Sequence, residues 1–241
     1  MKGTQPSRPG RSALNATRLQ NAYSATNEKT RALWRENPAI GEIRKERYYD
    51  PDKLALATGI QPVLPEPVVC LIRELQQRTE GDRLADVLPV SSVHFTFLPL
   101  TLPLYEEKES LPEKTGQLTD IWREYQGKHI VIRQLRLVAL PSQLLLAGIP
   151  DDPAIVLRQS FCESVLESQW KDELLLRHTG SPLPAPFWHS TLLRYNAAFL
   201  PTELREFFVR HQAVDFGDVS GALVLARVNY NWTKCLINKF E

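Results

Sequence analysis

Two short stretches, SSVHFTFLPL (91–100) and PFWHSTLLRY (186–195), each set a histidine two residues before a threonine in an otherwise apolar run. In an extended strand, residues i and i+2 project from one face, so His94 points with Thr96 and His189 with Thr191. If the two strands line one cleft, two imidazoles and two hydroxyls converge on a small volume. Such a group suits attack on a phosphodiester. One neutral histidine takes a proton from the nucleophile, and the other, protonated, gives one to the leaving oxygen. An unperturbed pKa of about 6.5 lets imidazole play either part near neutrality. The threonine hydroxyls can donate to the non-bridging oxygens and hold phosphorus between the rings. The chain has no HExxH, no DxD and no cysteine–histidine ligand spacing, and this chemistry calls for neither metal nor cofactor.

A single H-x-T is weak: with 14 threonines in 241 residues, two such hits arise by chance in roughly 4% of similar chains. The surroundings strengthen the pair. Periodicity predicts a helix over 68–80, a strand over 93–100, a helix over 118–126 and two strands in 129–149 that turn at Pro141-Ser142. The order then recurs: a long helix over 153–178 with proline near its start, a strand in 186–195, a helix over 201–211 capped by Thr202, and a terminal hairpin that turns at Asn231. Helix, H-x-T strand, helix, strand, strand thus occurs twice, the signature of an internal duplication. Only the first copy carries a charged connection after its motif, TLPLYEEKESLPEKTG, which reads as a mobile loop over a site.

The expected architecture is therefore α+β and bilobal. Two lobes related by a pseudo-two-fold, contributed by about 61–150 and 151–241, each carry an antiparallel sheet flanked by helices, with the active-site cleft between them. Residues 1–60 read as a basic, partly flexible arm. Ten Lys/Arg face five Asp/Glu over 1–50, and few large apolar residues occur before residue 30. The whole chain is 43% hydrophobic and 24% charged with a formal net charge of +1. That balance excludes a general nucleic-acid coat but leaves room for one local basic cleft. No apolar run reaches the ~20 residues of a membrane span, and no secretory signal core is present. Three isolated cysteines read as reduced thiols, so a cytoplasmic protein is expected. No obligate protein partner is inferred, and the sequence, compatible with a monomer, gives no handle on oligomeric state.

His94-Phe95-Thr96-Phe97 and His189-Ser190-Thr191-Leu192 resemble the paired H-x-T-x signatures of the 2H phosphoesterase superfamily, which includes LigT-like RNA 2′,3′-cyclic phosphodiesterases, also called 2′-5′ RNA ligases. The second motif is similar at one position more, because Arg194 completes the LigT-like H-x-T-L-x-R. The resemblance covers about residues 60–241 in element order. It implies metal-independent catalysis on a nucleotide or RNA end, with His94, His189, Thr96 and Thr191 in the roles given above, and Arg194 neutralising phosphate. Strict alternation from His189 puts Arg194 on the opposite face, so a bulge or strand end is needed for it to reach the cleft; a structural salt bridge is the competing reading. The first motif departs from the family where Pro99-Leu100-Thr101 follows it.

Trp188, Tyr195 and Tyr105, with Phe187, are candidates for stacking on a base at the cleft rim, against a reading as core. Arg133, Arg136 and Arg227 are candidates for lining the cleft, while His129, His178 and His211 read as structural. The expected activity is cleavage of a 2′,3′-cyclic phosphate or a 2′,5′ linkage. A joining activity that runs the same histidines in reverse, and a module that binds nucleotides or RNA ends without catalysis, are the alternatives.

Overall fold

A computed structural model describes residues 11–46 and 49–237. Six α-helices and nine strands alternate along these residues: α1 (Arg11–Glu36), β1 (Ala55–Ile60), α2 (Glu66–Arg78), β2 (Ala85–Val87), β3 (Phe95–Pro99), α3 (Thr115–Trp122), β4 (His129–Leu140), β5 (Gln143–Pro150), α4 (Asp152–Leu166), α5 (Lys171–Arg177), β6 (His189–Tyr195), α6 (Thr202–His211), β7 (Val219–Ala222), β8 (Val224–Val228) and β9 (Cys235–Ile237). No helix among them is long and apolar enough to cross a membrane.

The helices start where local chemistry supplies the missing partners. Asp151 accepts from the Ala154 amide at 3.0 Å, with Pro153 in the first turn of α4. The predicted long helix over 153–178 breaks in two because Ser168 competes for the backbone. Its hydroxyl donates to Val165 and accepts from the Trp170 amide, which ends α4 and restarts the chain as α5. Thr202, expected to cap α6, is its first residue instead, and Pro201 occupies the cap position without a side-chain bond.

All strand pairs are antiparallel, in two sheets of order β3-β1-β8-β9 and β2-β6-β5-β4-β7. β3 lies beside β1, with α2 and β2 between them in the chain, and β6 lies beside β5, with α4 and α5 between them. The lobes are not the contiguous blocks 61–150 and 151–241. The last two strands of each half cross over: β4 and β5 join the sheet of β6, and β8 and β9 join the sheet of β3. Each sheet therefore contains chain from both halves, and neither lobe's sheet is complete without the other half. Order along the chain cannot reveal this, because an antiparallel hairpin can add to either sheet equally well.

The expected loose arm over 1–60 also differs from what is observed, apart from residues 1–10, 47 and 48, which lie outside the described residues. Residues 55–60 are a central strand, and α1 is docked on the second sheet. The helix covers the part of β4 that β7 leaves unpaired. Asn27 accepts from the Ala139 amide at 2.8 Å, and Thr30 donates to the Ala139 carbonyl at 2.7 Å. Tyr23 packs on Val138, Leu145 and Ala147. Its hydroxyl donates to Gly148 O at 2.8 Å and accepts from the Trp188 amide at 3.2 Å. Few apolar residues are needed for such docking, which is why the segment reads as an arm.

The connection 101–116 is likewise tied down. Leu54 and Tyr105 exchange backbone bonds of 2.7 and 3.0 Å, Lys53 pairs with Glu106 at 2.8 Å, and Arg227 donates to the Glu106 carbonyl.

Tyr23→Phe removes both partners of the hydroxyl while keeping the ring, and leaves a buried amide and carbonyl unsatisfied. The expected loss is about 1–3 kcal/mol, read as a lowered urea midpoint; an unchanged midpoint would show that α1 contributes only packing.

Candidate active site

His94 immediately precedes β3 and His189 opens β6. Alternation alone would carry only His94 with Thr96, and His189 with Thr191, to a common face. Both strands then break register at the same place. On β1, Thr58 pairs with Leu98 and Gly59 with Thr96, so Phe97 is an extra residue on β3. On β5, Leu144 pairs with Leu193 and Leu145 with Thr191, so Leu192 is an extra residue on β6. Each bulge falls three residues after its histidine and resets the alternation. The residue five places after the histidine returns to the cleft: Pro99 in the first motif, Arg194 in the second.

The result is one cavity of about 310 Å³ whose wall includes His94, Thr96, His189, Thr191, Arg194 and Pro99. Small residues open its floor: Ala55 and Ala57 line it, and Gly59 continues their face of β1. A Cβ on Gly59 would stand 2.6 Å from the Phe95 carbonyl and 3.0 Å from the Trp232 ring, so only glycine permits that approach. The bulge on β3 is held by Thr58, fully buried, whose hydroxyl donates to Leu98 O at 2.9 Å and accepts from Leu98 N at 3.0 Å.

His94 is almost fully buried, and its Nδ1 lies 2.8 Å from the Ser92 carbonyl. A carbonyl only accepts, so Nδ1 carries the hydrogen and Nε2 is left as the ring's acceptor. The ring stacks on Trp232 with centroids 4.7 Å apart and planes 8° apart. Trp232 holds φ at 56°, a costly conformation for a bulky residue, inside a β8–β9 loop fastened by Asn229. His189 lies beside it in the wall, and its buried Nδ1 has no partner among the described residues.

Burial pushes the His94 imidazole down to about 3, with the positive charge of Arg194 and His189 adding to it and the Ser92 hydrogen bond opposing. Burial pushes His189 down to about 4, with Arg194 and Arg158 adding to it. Both rings are neutral bases at pH 7.

The rest of the wall is cationic. Arg158, Arg177 and Arg194 line it, and none of the described lining residues is an aspartate or glutamate. Arg158, on α4, is only 7% exposed. Its guanidinium lies 3.8 Å over the Trp188 ring and donates to the Phe187 carbonyl at 3.4 Å. Burial lowers its pKa to about 10, so it stays charged. His178 also reaches the wall, and its Nε2–H donates to the Pro99 carbonyl at 3.0 Å. Among the described residues no three His, Cys, Asp or Glu side chains form a metal-holding group.

Three of the expected substrate-binding aromatics are elsewhere. Trp188 is core, beneath Arg158 and edge-on to Phe97. Tyr195 points away from the cleft, 4% exposed, with its hydroxyl on the Asp82 carboxylate. Tyr105 lies under Arg227 at the far edge of the first sheet. Of the four aromatics only Phe187 lines the cavity. Arg133, paired with Asp218 at 3.1 Å, Arg136 and Arg227 are not in its wall. The sequence reading missed Arg158, Trp232 and the pair Tyr49 and Tyr230. For Trp232 and Tyr230 the signal is NYNW (229–232), two aromatics in a short turn between strands where small polar residues are the rule; Tyr49 carries no such signal.

No protein-family model and no curated protein matches the chain. Among solved structures, the fold is similar to TT0787 of Thermus thermophilus (18% identity, 77% of this chain and 95% of that one, TM-score 0.47). It is also similar to a phosphoesterase (14%, 76% and 94%, TM-score 0.48) and to LigT of E. coli complexed with 3′-AMP (13%, 78% and 94%, TM-score 0.44).

The depressed histidines set a pH dependence of stability. The unfolded chain takes a proton on each imidazole near pH 6.5, whereas the native protein resists until about 4 at His189 and about 3 at His94. Their contribution is complete above pH 6.5 and is lost as pH falls towards 4. Thermal unfolding of the wild type and of His94→Gln/His189→Gln at pH 7.5 and 4.5 should show a smaller acid loss in the double variant. Equal losses would mean that the rings are not held neutral.

Proposed function

We propose that the protein is a metal-independent phosphodiesterase of the two-histidine type, acting on RNA or nucleotides that carry a 2′,3′-cyclic phosphate or a 2′,5′ linkage. The observation that carries this reading is the matched pair of bulged H-x-T strands, with two imidazoles, two hydroxyls and Arg194 in the wall of one cavity that has three arginines and no carboxylate among its described lining residues. A cavity of that charge favours an anion, and a phosphodiester is the anion whose cleavage needs a proton taken and a proton given.

For a cyclic phosphate, one neutral imidazole removes a proton from water as its oxygen attacks phosphorus. The P–O bond to one ribose oxygen breaks, and the second imidazole, protonated, gives that oxygen its proton. For a 2′,5′ linkage the neighbouring ribose hydroxyl is the nucleophile and a cyclic phosphate the product. Thr96 and Thr191 donate to the non-bridging oxygens, and Arg158 and Arg194 balance their charge. The hydrogen bond from His94 Nδ1 to Ser92 fixes the ring so that Nε2 meets the substrate.

Both free imidazoles are neutral at pH 7, so the acid must acquire its proton on or before productive binding. The form with one proton on the pair is scarce at neutral pH and becomes scarcer as pH rises. It follows that kcat/KM falls as pH is raised from 5 to 8, and an optimum above pH 7 would contradict the depressed pair.

The direct test supplies a 2′,3′-cyclic nucleotide and a 2′,5′-linked dinucleotide with chelator present. His94→Ala and His189→Ala should each lose at least ~100-fold in kcat, and Arg158→Met should raise KM more than it lowers kcat. Activity that survives either histidine change, or strict dependence on added metal, would overturn the mechanism. Tight binding without turnover would favour the non-catalytic module.

A further inference from the structure

A second cavity of about 160 Å³ adjoins the first and shares Tyr49, Arg194 and Tyr230 with it. Those three side chains form the partition. The rings of Tyr49 and Tyr230 stack with centroids 5.6 Å apart. The Arg194 guanidinium lies 5.1 Å from the Tyr230 ring and 5.8 Å from the Tyr49 ring. Tyr230 is anchored from below, its hydroxyl donating to Asp86 Oδ2 at 2.7 Å, and Asp86 is the cross-strand partner of Arg194.

Beyond the partition the wall is Arg83, Leu84, Ala85, Asp86 and Asn196, and the Asp86 carboxylate is the one that accepts from Tyr230. The reset alternation on β6 continues through Arg194 to Asn196, which is how this residue comes to line the cavity. Its Nδ2 donates to the Arg44 carbonyl at 3.3 Å, which orients the amide, while its Oδ1 is buried without a donor among the described residues. A buried acceptor with no donor is costly unless a ligand supplies one. Arg83 stands at the rim.

Aromatic faces, acceptors on Asn196 and Asp86, and a cation on either side together describe a site for a nucleobase that bears an amino group, flanked by phosphate. We propose that the second cavity is a subsite for the nucleoside next to the reactive phosphate, so that the substrate is an oligonucleotide end and not a mononucleotide. Arg194 then stands between the two nucleotides and serves both. This rests on the phosphodiesterase reading for the first cavity, and the test separates the two.

The test measures the binding of adenosine 3′-monophosphate and of the adenylyl-adenosine dinucleotide 3′-monophosphate by calorimetry, with kcat/KM for the matching cyclic phosphates alongside. The dinucleotide should bind about tenfold more tightly. Asn196→Ala combined with Arg83→Ala should abolish that preference, while mononucleotide affinity and turnover stay within about twofold, because neither residue lines the first cavity. Equal affinity for the two ligands in the wild type, or a preference that survives the double variant, overturns the subsite. Dinucleotide binding that depends on Asn196 and Arg83 but comes without turnover upholds the subsite and sinks the phosphodiesterase reading. No binding of either ligand sinks both.

Discussion

Phe97 and Leu192 are surplus residues in otherwise regular ladders, and the cleft depends on where they fall. A strand shows one face every second residue, so a histidine, a threonine two places on and a group five places on cannot share a face in a regular strand. One extra residue between the second and the third removes the conflict and costs a local break in the ladder. The chain repairs that break with specific partners. Thr58 satisfies both backbone groups of Leu98, and the Leu192 carbonyl accepts from the Leu88 amide at 2.8 Å. Because both bulges lie at the same distance from their histidines, the two walls of the cleft are built alike.

Bringing the two walls together is the task of the strand exchange. With β4 in the sheet of β6 and β8 in the sheet of β3, neither sheet folds from one half of the chain, so the halves are held at a fixed separation by backbone hydrogen bonds. α1 adds to this. Ala147 and Leu145 lie opposite His189 and Thr191 and share their face, and Tyr23 packs on both. The helix therefore covers the portion of that face that the cavity leaves unused. Such enclosure desolvates two imidazoles beside Arg158 and Arg194, which keeps both rings neutral and makes the empty site an unfavourable place for further positive charge. An anion relieves that condition, so the same burial that weakens the native state in acid makes the cleft favourable to negative charge.

Much of this was legible from the sequence, for reasons that are physical. The H-x-T pairs, the repeated element order and the helix periodicities are local, and local signals survive in a single chain. The need for a bulge before Arg194 could reach the cleft was also readable, because alternation is a strict rule whose violation can be stated in advance. What was not readable depends on partners distant in sequence. The exchanged strands could have added to either sheet. Trp188, Tyr195 and Tyr105 look like any exposed aromatic until the core that covers them is known. Arg158 sits on a helix whose apolar face predicts burial, and nothing local says that its guanidinium emerges in the cleft. The docking of α1 was obscured because Tyr23, Asn27 and Thr30 attach it through hydrogen bonds to a strand edge, whereas amphipathic patterning detects only apolar attachment.

In the proposed mechanism the two halves agree in what performs proton transfer, and they differ in what surrounds it. Displacement at phosphorus puts the entering and leaving oxygens on opposite sides, so a base and an acid in equivalent surroundings suit the step itself, and the duplicated strands supply them. A nucleic-acid end has no such symmetry, because chain continues on one side of the phosphate and stops on the other. The residues five places after the histidines differ accordingly. Arg194 opens on one flank towards Tyr49, Tyr230 and the second cavity, whereas Pro99 lies on the other, its carbonyl taken by His178. A proline there offers no charge and no donor, and the bond from His178 fastens α5 against that wall. On the proposed reading, duplication accounts for the chemistry, and divergence at one equivalent position accounts for which flank of the cleft is open to more chain.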